Sequence, residues 1–249
     1  MNSKNIPKNK NVKTIIYFIL RFLVIICMII QFSKGNYENA ILCILTLVLF
    51  MIPTIIDKKL NIKLPSTLEI IILLFIFSAE ILGEINEYYL KFENWDTLLH
   101  TLNGFLMGAI GFAMIDILNS NNKIHISLSP IFVILVAFCF SMTIGVIWEF
   151  FEFGMDYLFL TDMQKDTIIS NITSTLLNEE NFNQPKTINF ESVGINSKPW
   201  VGYIDIGLYD TMKDLFVNFI GALIFSITGL FYIKDKTHLL KRFLPTKKL

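Results

Sequence analysis

The chain has 249 residues, of which 53% are hydrophobic, and its formal net charge is zero. A mean hydropathy of +0.57 excludes an ordinary soluble domain, and the balanced charge gives no indication of a nucleic-acid partner. The three cysteines, Cys27, Cys43 and Cys139, lie inside apolar runs, which is typical of packing residues rather than of disulfides or metal ligands. We therefore expect an all-α polytopic membrane protein, and the frequent Lys, Ile and Asn suggest a bacterial source.

Apolar runs long enough to cross a bilayer, which needs about 20 residues, recur along the chain. The predicted membrane helices, in order, are 14–32, 40–56, 66–83, 95–118, 130–156 and 208–233. At the start of the third, Ser66 and Glu69 have the spacing of a capping box. We therefore expect a helical bundle of about six transmembrane helices, forming a single membrane domain over residues 1–249.

The segment 157–207 separates the fifth and sixth predicted helices and is rich in Asn, Thr, Ser and Asp. It shows no clear hydrophobic period. A connection of this length without strong elements is unusual and indicates a functional or mobile region.

Lysine and arginine residues are unevenly distributed between the two sides of the predicted bundle. The N-terminal lysines, the turn at Lys58–Lys63, Lys123 and the basic tail from Lys234 all fall on one side. The positive-inside rule assigns that side to the cytoplasm. We therefore expect both termini in the cytoplasm, the segment 157–207 outside, and a multi-pass protein of the cell membrane.

Acidic and other polar residues gather at the helix ends that this topology assigns to the outer side. The set consists of Asp96, His100, Glu149, Glu152, Asp210, Asp214 and Asn218. Within each helix the members are three or four residues apart, which places them on one face. Beyond His100 the same face continues as Gly104 and Gly108, a spacing that lets a second helix approach closely. We expect an outward-facing polar cavity, and the whole set is the candidate catalytic group.

Several carboxylates in one cavity must share protons, pair with cations or bind a metal ion. An oxygen-rich set favours Mg²⁺, Mn²⁺ or Ca²⁺, with His100, Glu149, Glu152 and Asp214 as the candidate ligands. Zinc fits less well because one histidine and no nearby cysteine are available. Two other interpretations stay open, namely that His100 is a general base oriented by a carboxylate, or that the residues make hydrogen bonds between helices. No motif for an organic cofactor is present.

Three motifs in this order resemble a known family. They are Trp95–His100, Trp148–Glu152, and Asp210–Leu215 followed by Asn218 and Gly221–Ala222. The chain from about Glu80 onward resembles the YjdF-like bacterial inner-membrane proteins, a family of unknown function, and the motifs are more distantly similar to VanZ-like proteins. The resemblance implies a role associated with the cell envelope, because VanZ-like proteins are linked to glycopeptide susceptibility. It implies no particular reaction.

The favoured hypothesis is an outward-facing membrane enzyme that acts on a lipid or cell-envelope precursor, with the segment 157–207 as a lid. The first alternative is a protein that binds or transports a cation or another small ligand. The second is a structural scaffold in the lipid bilayer. The sequence does not distinguish enzyme from binding protein, and it indicates neither a substrate nor an oligomeric state.

Overall fold

The computed structural model describes residues 8–59, 62–119, 128–181, 183–235 and 246–247. The α-helices are α1 (Lys8–Ser33), α2 (Tyr37–Leu49), α3 (Ile52–Lys59), α4 (Ser66–Phe77), α5 (Tyr88–Lys91), α6 (Trp95–Asn119), α7 (Pro130–Phe159) and α8 (Leu208–Asp235). A π-helix, Ser78–Ile85, continues directly from α4. The predicted all-α membrane fold is therefore confirmed.

Among the described residues, five helices are long and apolar enough to cross a membrane. They cover Val12–Ser33, Tyr37–Ile56, Trp95–Ile115, Pro130–Phe159 and Leu208–Ile233. The third predicted helix starts at Ser66 as expected, but α4 has only 12 residues before the backbone changes to π geometry. This is why five helices qualify where about six were expected.

Some of the polar segments on which the predicted topology depends lie outside the described residues. They are residues 1–7, the turn around Lys123, and the tail after Asp235 except for residues 246–247. The cytoplasmic location of both termini therefore stays a prediction.

The capping box predicted at Ser66 and Glu69 is wrong, although the helix starts where expected. Pro65 occupies the N-cap position and no side chain caps the helix there. Glu69 pairs instead with Lys13 of α1, whose Nζ lies 2.6 Å from Oε2. The Glu69 carboxylate therefore forms an ion pair with a lysine of another helix. This charge-assisted contact is a stronger attraction than a cap on the helix's own backbone N–H.

The second predicted helix consists of α2 and α3, which meet at Phe50 and Met51 and together contain the candidate span Tyr37–Ile56. Pro53 follows as the second residue of α3, where its missing N–H costs nothing because the first turn of a helix has no partner for it. The proline therefore starts a new helix instead of interrupting an old one.

The segment 157–207 is not structureless, and its strands pair in short antiparallel ladders. Within this segment lie β2 (Ile168–Ile169), β3 (Asn171–Ser174), β4 (Lys186–Asn189), β5 (Val193–Ile195), β6 (Lys198–Trp200) and β7 (Tyr203–Ile204). Two further strands, β1 (Ile62–Lys63) and β8 (Thr246–Lys247), lie outside it. The pairs are β2 with β7, β3 with β4, and β5 with β6, while β1 pairs with β8. Strands of two to four residues have no readable alternation, which is why the sequence showed no period.

The chain divides into two compact units, which are described separately below. The first unit contains residues 1–145 and 217–249, and the second contains residues 146–216. In the first unit one core cluster surrounds Val24, Phe50 and Leu68, and a second surrounds Ala109 and Phe225.

Within the first unit, α6 and α8 touch through their backbones. A Cβ atom at Gly104 would collide with the backbone carbonyl of Asn218, and one at Gly221 would collide with that of Thr101. At Gly108 an added Cβ would lie 2.9 Å from the Phe225 ring. The close helix approach predicted from the glycine spacing is confirmed.

This contact predicts that Gly221→Ala destabilises the protein. The new methyl group meets backbone atoms that cannot rotate away, so we expect a loss of about 1–3 kcal/mol in the free energy of unfolding, the usual cost of overpacking. The measurement is denaturant or thermal unfolding of the purified protein in detergent.

Gly154→Ala is the matched control, because Gly154 lies within α7 and its added Cβ would meet nothing within 4 Å. Removing a helical glycine there should leave stability unchanged or raise it by up to about 1 kcal/mol. Equal effects of the two substitutions would contradict the assigned contact.

Candidate functional site

Three carboxylates meet in the second unit. Glu149 and Glu152 come from α7 and Asp214 from α8, and only 4%, 8% and 1% of these residues, respectively, is exposed. One carboxylate oxygen of each lies within 4.8 Å of an oxygen of the other two. Glu149 and Glu152 are one turn apart on the same helical face, and Asp214 comes from the neighbouring helix. These three residues are called the carboxylate cluster below.

An indole group holds one member of the cluster in place. Trp148 Nε1 donates a hydrogen bond of 2.8 Å to Glu152 Oε1. Trp148 itself is 42% exposed. Its ring nevertheless reaches the next turn, because residues four apart are neighbours on a helix surface.

Asp210 has a carboxylate oxygen within 4.8 Å of one of Asp214, one turn further along α8. Its Oδ2 also accepts a hydrogen bond of 2.7 Å from the backbone N–H of Lys165. Asp210 therefore lies beside the cluster and also fixes the loop that follows α7, a role that the sequence did not indicate.

The first unit contains the other predicted acid–base pair. His100 Nε2 lies 3.4 Å from Asp96 Oδ1, and the two residues are one turn apart on α6. His100 is buried, while about a quarter of the Asp96 side chain is exposed. The distance is longer than that of a strong charge-assisted hydrogen bond, and the carboxylate lies beside the imidazole.

Asn218 lies between helices of the first unit and is 1% exposed. Its Oδ1 accepts a hydrogen bond of 3.2 Å from Asn103, and its Nδ2 lies 3.7 Å from the Met142 sulfur. A Cβ added at Gly145 would come within 2.6 Å of this amide. The contacts favour a packing role for Asn218. Asn103, three residues after His100, was missed because a lone Asn in an apolar helix carries no motif.

A set of carboxylates outside the cluster anchors residues 161–167. Asp156 accepts hydrogen bonds from the hydroxyl of Thr161 and from the backbone N–H groups of Met163 and Gln164, at 2.7, 2.7 and 2.8 Å. Each oxygen of a carboxylate can accept such bonds, and charged acceptors make the stronger ones. Asp156, one turn beyond Glu152, therefore holds the chain as it leaves α7.

Asp205 performs the same task at the start of α8, and sequence reasoning missed it. Its two oxygens accept from the N–H groups of Thr167 and Tyr209, at 2.7 and 2.8 Å. An Asp just before a helix is a recognised capping signal, and Gly207, which directly precedes α8, is a second such signal.

Burial, and then the negative charges of Asp162 and Asp205, raise the pKa of the Asp166 carboxyl in this loop.

The carboxylate cluster offers oxygen atoms only, which is the ligand type that Mg²⁺, Mn²⁺ and Ca²⁺ prefer. Two of the carboxylates come from α7 and one from α8, so all three are carried by helical backbone and none by a loop. The residues present therefore fit a hard divalent cation.

A comparison with known proteins places the chain in a family. The model of the family described as "Predicted membrane protein (DUF2238)" matches residues 15–235. The chain is a DUF2238 membrane protein. No curated protein and no solved structure matches it. The matched range contains all seven candidate catalytic residues of the DUF2238 chain, and the family description names no reaction.

The loop anchors predict a local effect of Asp156→Asn in this DUF2238 protein. The amide keeps one acceptor oxygen and loses the charge, and hydrogen bonds to a charged group contribute about 1.5–3 kcal/mol. We expect the amide hydrogens of Met163 and Gln164 to exchange roughly tenfold faster or more, as measured by hydrogen–deuterium exchange mass spectrometry.

The control is Asp162→Asn in the same loop, because 69% of the Asp162 side chain is exposed. Exchange at Met163 and Gln164 should stay at the wild-type rate in this variant. If Asp156→Asn and Asp162→Asn behaved alike, Asp156 would not be the anchor.

Proposed function

We propose that the carboxylate cluster binds a divalent cation and forms the centre of a membrane enzyme that acts on a lipid or cell-envelope component. The observation that carries the proposal is the burial of Glu149, Glu152 and Asp214 with their oxygens within 4.8 Å of one another. Like charges this close, removed from water, destabilise one another unless positive charge or shared protons compensate.

A bound cation accounts for the ligand chemistry better than shared protons do. Two carboxylates can share one proton, but a third acid in the same group then needs a proton of its own. A single divalent cation can coordinate all three carboxylates in their ordinary ionised form and offsets two of their three negative charges. A cation held in this way polarises a phosphoryl or carbonyl oxygen of a substrate, or lowers the pKa of bound water.

The remaining candidate residues would serve around this centre. Asp210 keeps the loop 161–167 in place and lies beside Asp214, so it positions the cluster. Asp96 and His100 belong to the proposed machinery on sequence grounds, because they open a predicted membrane helix at the end assigned to the outer side. His100, oriented by Asp96, has the groups needed for a general base.

The substrate class follows from the location of the residues on membrane helices. The helices that carry the cluster, α7 and α8, are both candidate membrane spans, which favours a lipid or a lipid-linked envelope precursor over a water-soluble metabolite. The resemblance to YjdF-like and VanZ-like proteins supports the same class and an outer-facing site in a bacterial cell membrane.

The first test is the metal content of the protein purified in lipid nanodiscs and equilibrated with Mg²⁺, Mn²⁺ or Ca²⁺. We expect near-stoichiometric binding of one of these ions by the wild type and its loss in Asp214→Asn, which keeps the side-chain size and removes the charge. Elemental analysis measures the content, and the ion should also raise the melting temperature of the wild type.

Glu87→Gln is the control, because the Glu87 side chain is 61% exposed and pairs with Lys91 outside the cluster. A wild type without metal would overturn the cation site. If Asp214→Asn were then also more stable than the wild type, the scaffold alternative would be favoured, because replacing a buried charge relieves repulsion.

His100→Ala tests whether the histidine belongs to the same machinery. We expect this variant to fold normally and to bind Mn²⁺ with an affinity about tenfold or more below that of the wild type. A loss of this size is usual when a metal ligand or a residue that supports one is removed. Titration of Mn²⁺ by its electron paramagnetic resonance signal gives the affinity. Wild-type affinity in His100→Ala would exclude His100 from the metal-binding set.

A further inference from the structure

An apolar groove runs along α6 in the first unit, between α4 and the part of α8 around Gly221 and Ile224. Its volume is about 510 Å³, and the lining includes Leu74, Ser78, Trp95, Leu98, Phe105 and Ile224. The rim residues Leu74, Leu98 and Ile224 are 44%, 57% and 47% exposed, while Leu99 on the floor is 5% exposed. The groove is therefore concave, and it opens on the exposed surface of these helices.

The groove has the length of a hydrocarbon chain in one leaflet. It extends along α6 from Trp95 to Phe105, and ten residues of helix rise about 15 Å. The hydrocarbon core of a bilayer is about 30 Å thick, so one leaflet accounts for about 15 Å. The groove also starts at the first residue of a candidate membrane span, where the apolar layer begins.

A second, smaller cavity lies on the other side of Trp95. Its volume is about 350 Å³, and its lining consists of Tyr88, Phe92, Glu93, Asn94 and Trp95. Trp and Tyr side chains are enriched where a membrane meets water. The two cavities together form a site whose longer, apolar part lies along the candidate membrane span and whose shorter part, just before the span, contains Glu93 and Asn94 beside three aromatic rings. An apolar part that continues into a part with a charged residue matches the shape of a lipid.

Trp95 is fixed in place as the wall between the two cavities. Its indole Nε1 donates a hydrogen bond of 3.3 Å to the carbonyl of Ser78, the residue at which α4 changes into the π-helix. Its ring also makes an edge contact with Tyr88, with the ring centroids 5.0 Å apart. Short π-helical segments are common at functional sites, and this one supplies the carbonyl that orients Trp95.

We propose that these two cavities bind one membrane lipid with an amine-bearing head group. Its hydrocarbon chain lies in the groove, and its head lies beyond Trp95. Glu93 is the charged residue of the smaller cavity and is negative, and the neighbouring rings of Tyr88, Phe92 and Trp95 attract cations through their faces. Both features favour a lipid head group that carries an ammonium group over a head group without one. This proposal names the lipid class that the proposed function leaves open. It rests on the proposed function only for the role of the lipid as a substrate.

The experiment uses the full-length protein in nanodiscs of phosphatidylethanolamine and phosphatidylglycerol in equal parts. A trace of either lipid carries a photoreactive diazirine in the middle of one acyl chain, and the labelled residues are mapped by mass spectrometry. We expect the phosphatidylethanolamine probe to label the groove residues on α6 and α8 several times more than the phosphatidylglycerol probe does.

Two variants with a matched control make the test specific. Leu98→Trp fills the groove from its rim and should reduce this labelling at least fivefold, a change well above the scatter of such maps. Leu135→Trp is the control, because Leu135 lies on α7 with 53% exposure and does not line the groove. Glu93→Gln should remove the preference for phosphatidylethanolamine while leaving chain labelling by both probes in place.

Three results would overturn the proposal: equal labelling of the groove and of the lipid-facing surface around Leu135, unchanged labelling in Leu98→Trp, or equal groove labelling by the two probes. The readout does not depend on a metal ion. Labelling as expected in a protein that binds no cation would keep the lipid site and overturn the metal centre, and the reverse result would keep the metal centre alone.

Discussion

The backbone contact between α6 and α8 is the constraint on which the first unit depends. Gly104 and Gly221 bring the two helices so close that a methyl group on either would meet a carbonyl of the other. Because the axes are fixed there, Asn218 is held against Asn103, and the apolar groove lies beside the same contact, since Thr101 and Gly221 also line it. One contact between small residues therefore bounds both the tight and the open parts of this unit.

The second unit uses its acidic residues in two different ways. Asp156 and Asp205 satisfy backbone N–H groups that a loop leaving a helix would otherwise leave without partners. Glu149, Glu152 and Asp214 instead lie close to one another, which backbone anchoring does not explain. Asp210 takes part in both arrangements. Carboxylates that accept hydrogen bonds from loop backbone are therefore assigned a structural role. Carboxylates that lie close to other carboxylates are the candidate functional residues.

The sequence predicted the helical membrane fold well because apolar length and helical period are local properties. It also predicted the faces on which Glu149, Glu152, Asp210 and Asp214 lie, since a spacing of three or four residues fixes them. It failed where tertiary partners decide the outcome. Glu69 was expected to cap its own helix and instead pairs with Lys13. The loop roles of Asp156 and Asp210 depend on backbone N–H groups of residues 163–165, and no side-chain pattern reports the position of a backbone donor.

The length of α7 bears on how its acids are solvated. Its 30 residues extend about 45 Å, while the hydrocarbon core of a bilayer is about 30 Å thick. The first 20 residues, ending at Glu149, already cover that thickness, so the helix either tilts or projects beyond the membrane surface. A helix that projects carries its acidic end out of the hydrocarbon core, at whose centre a charge would cost roughly 2.5–3.5 kcal/mol. Hydrophobic mismatch thus lets one continuous helix be both a membrane span and a carrier of carboxylates.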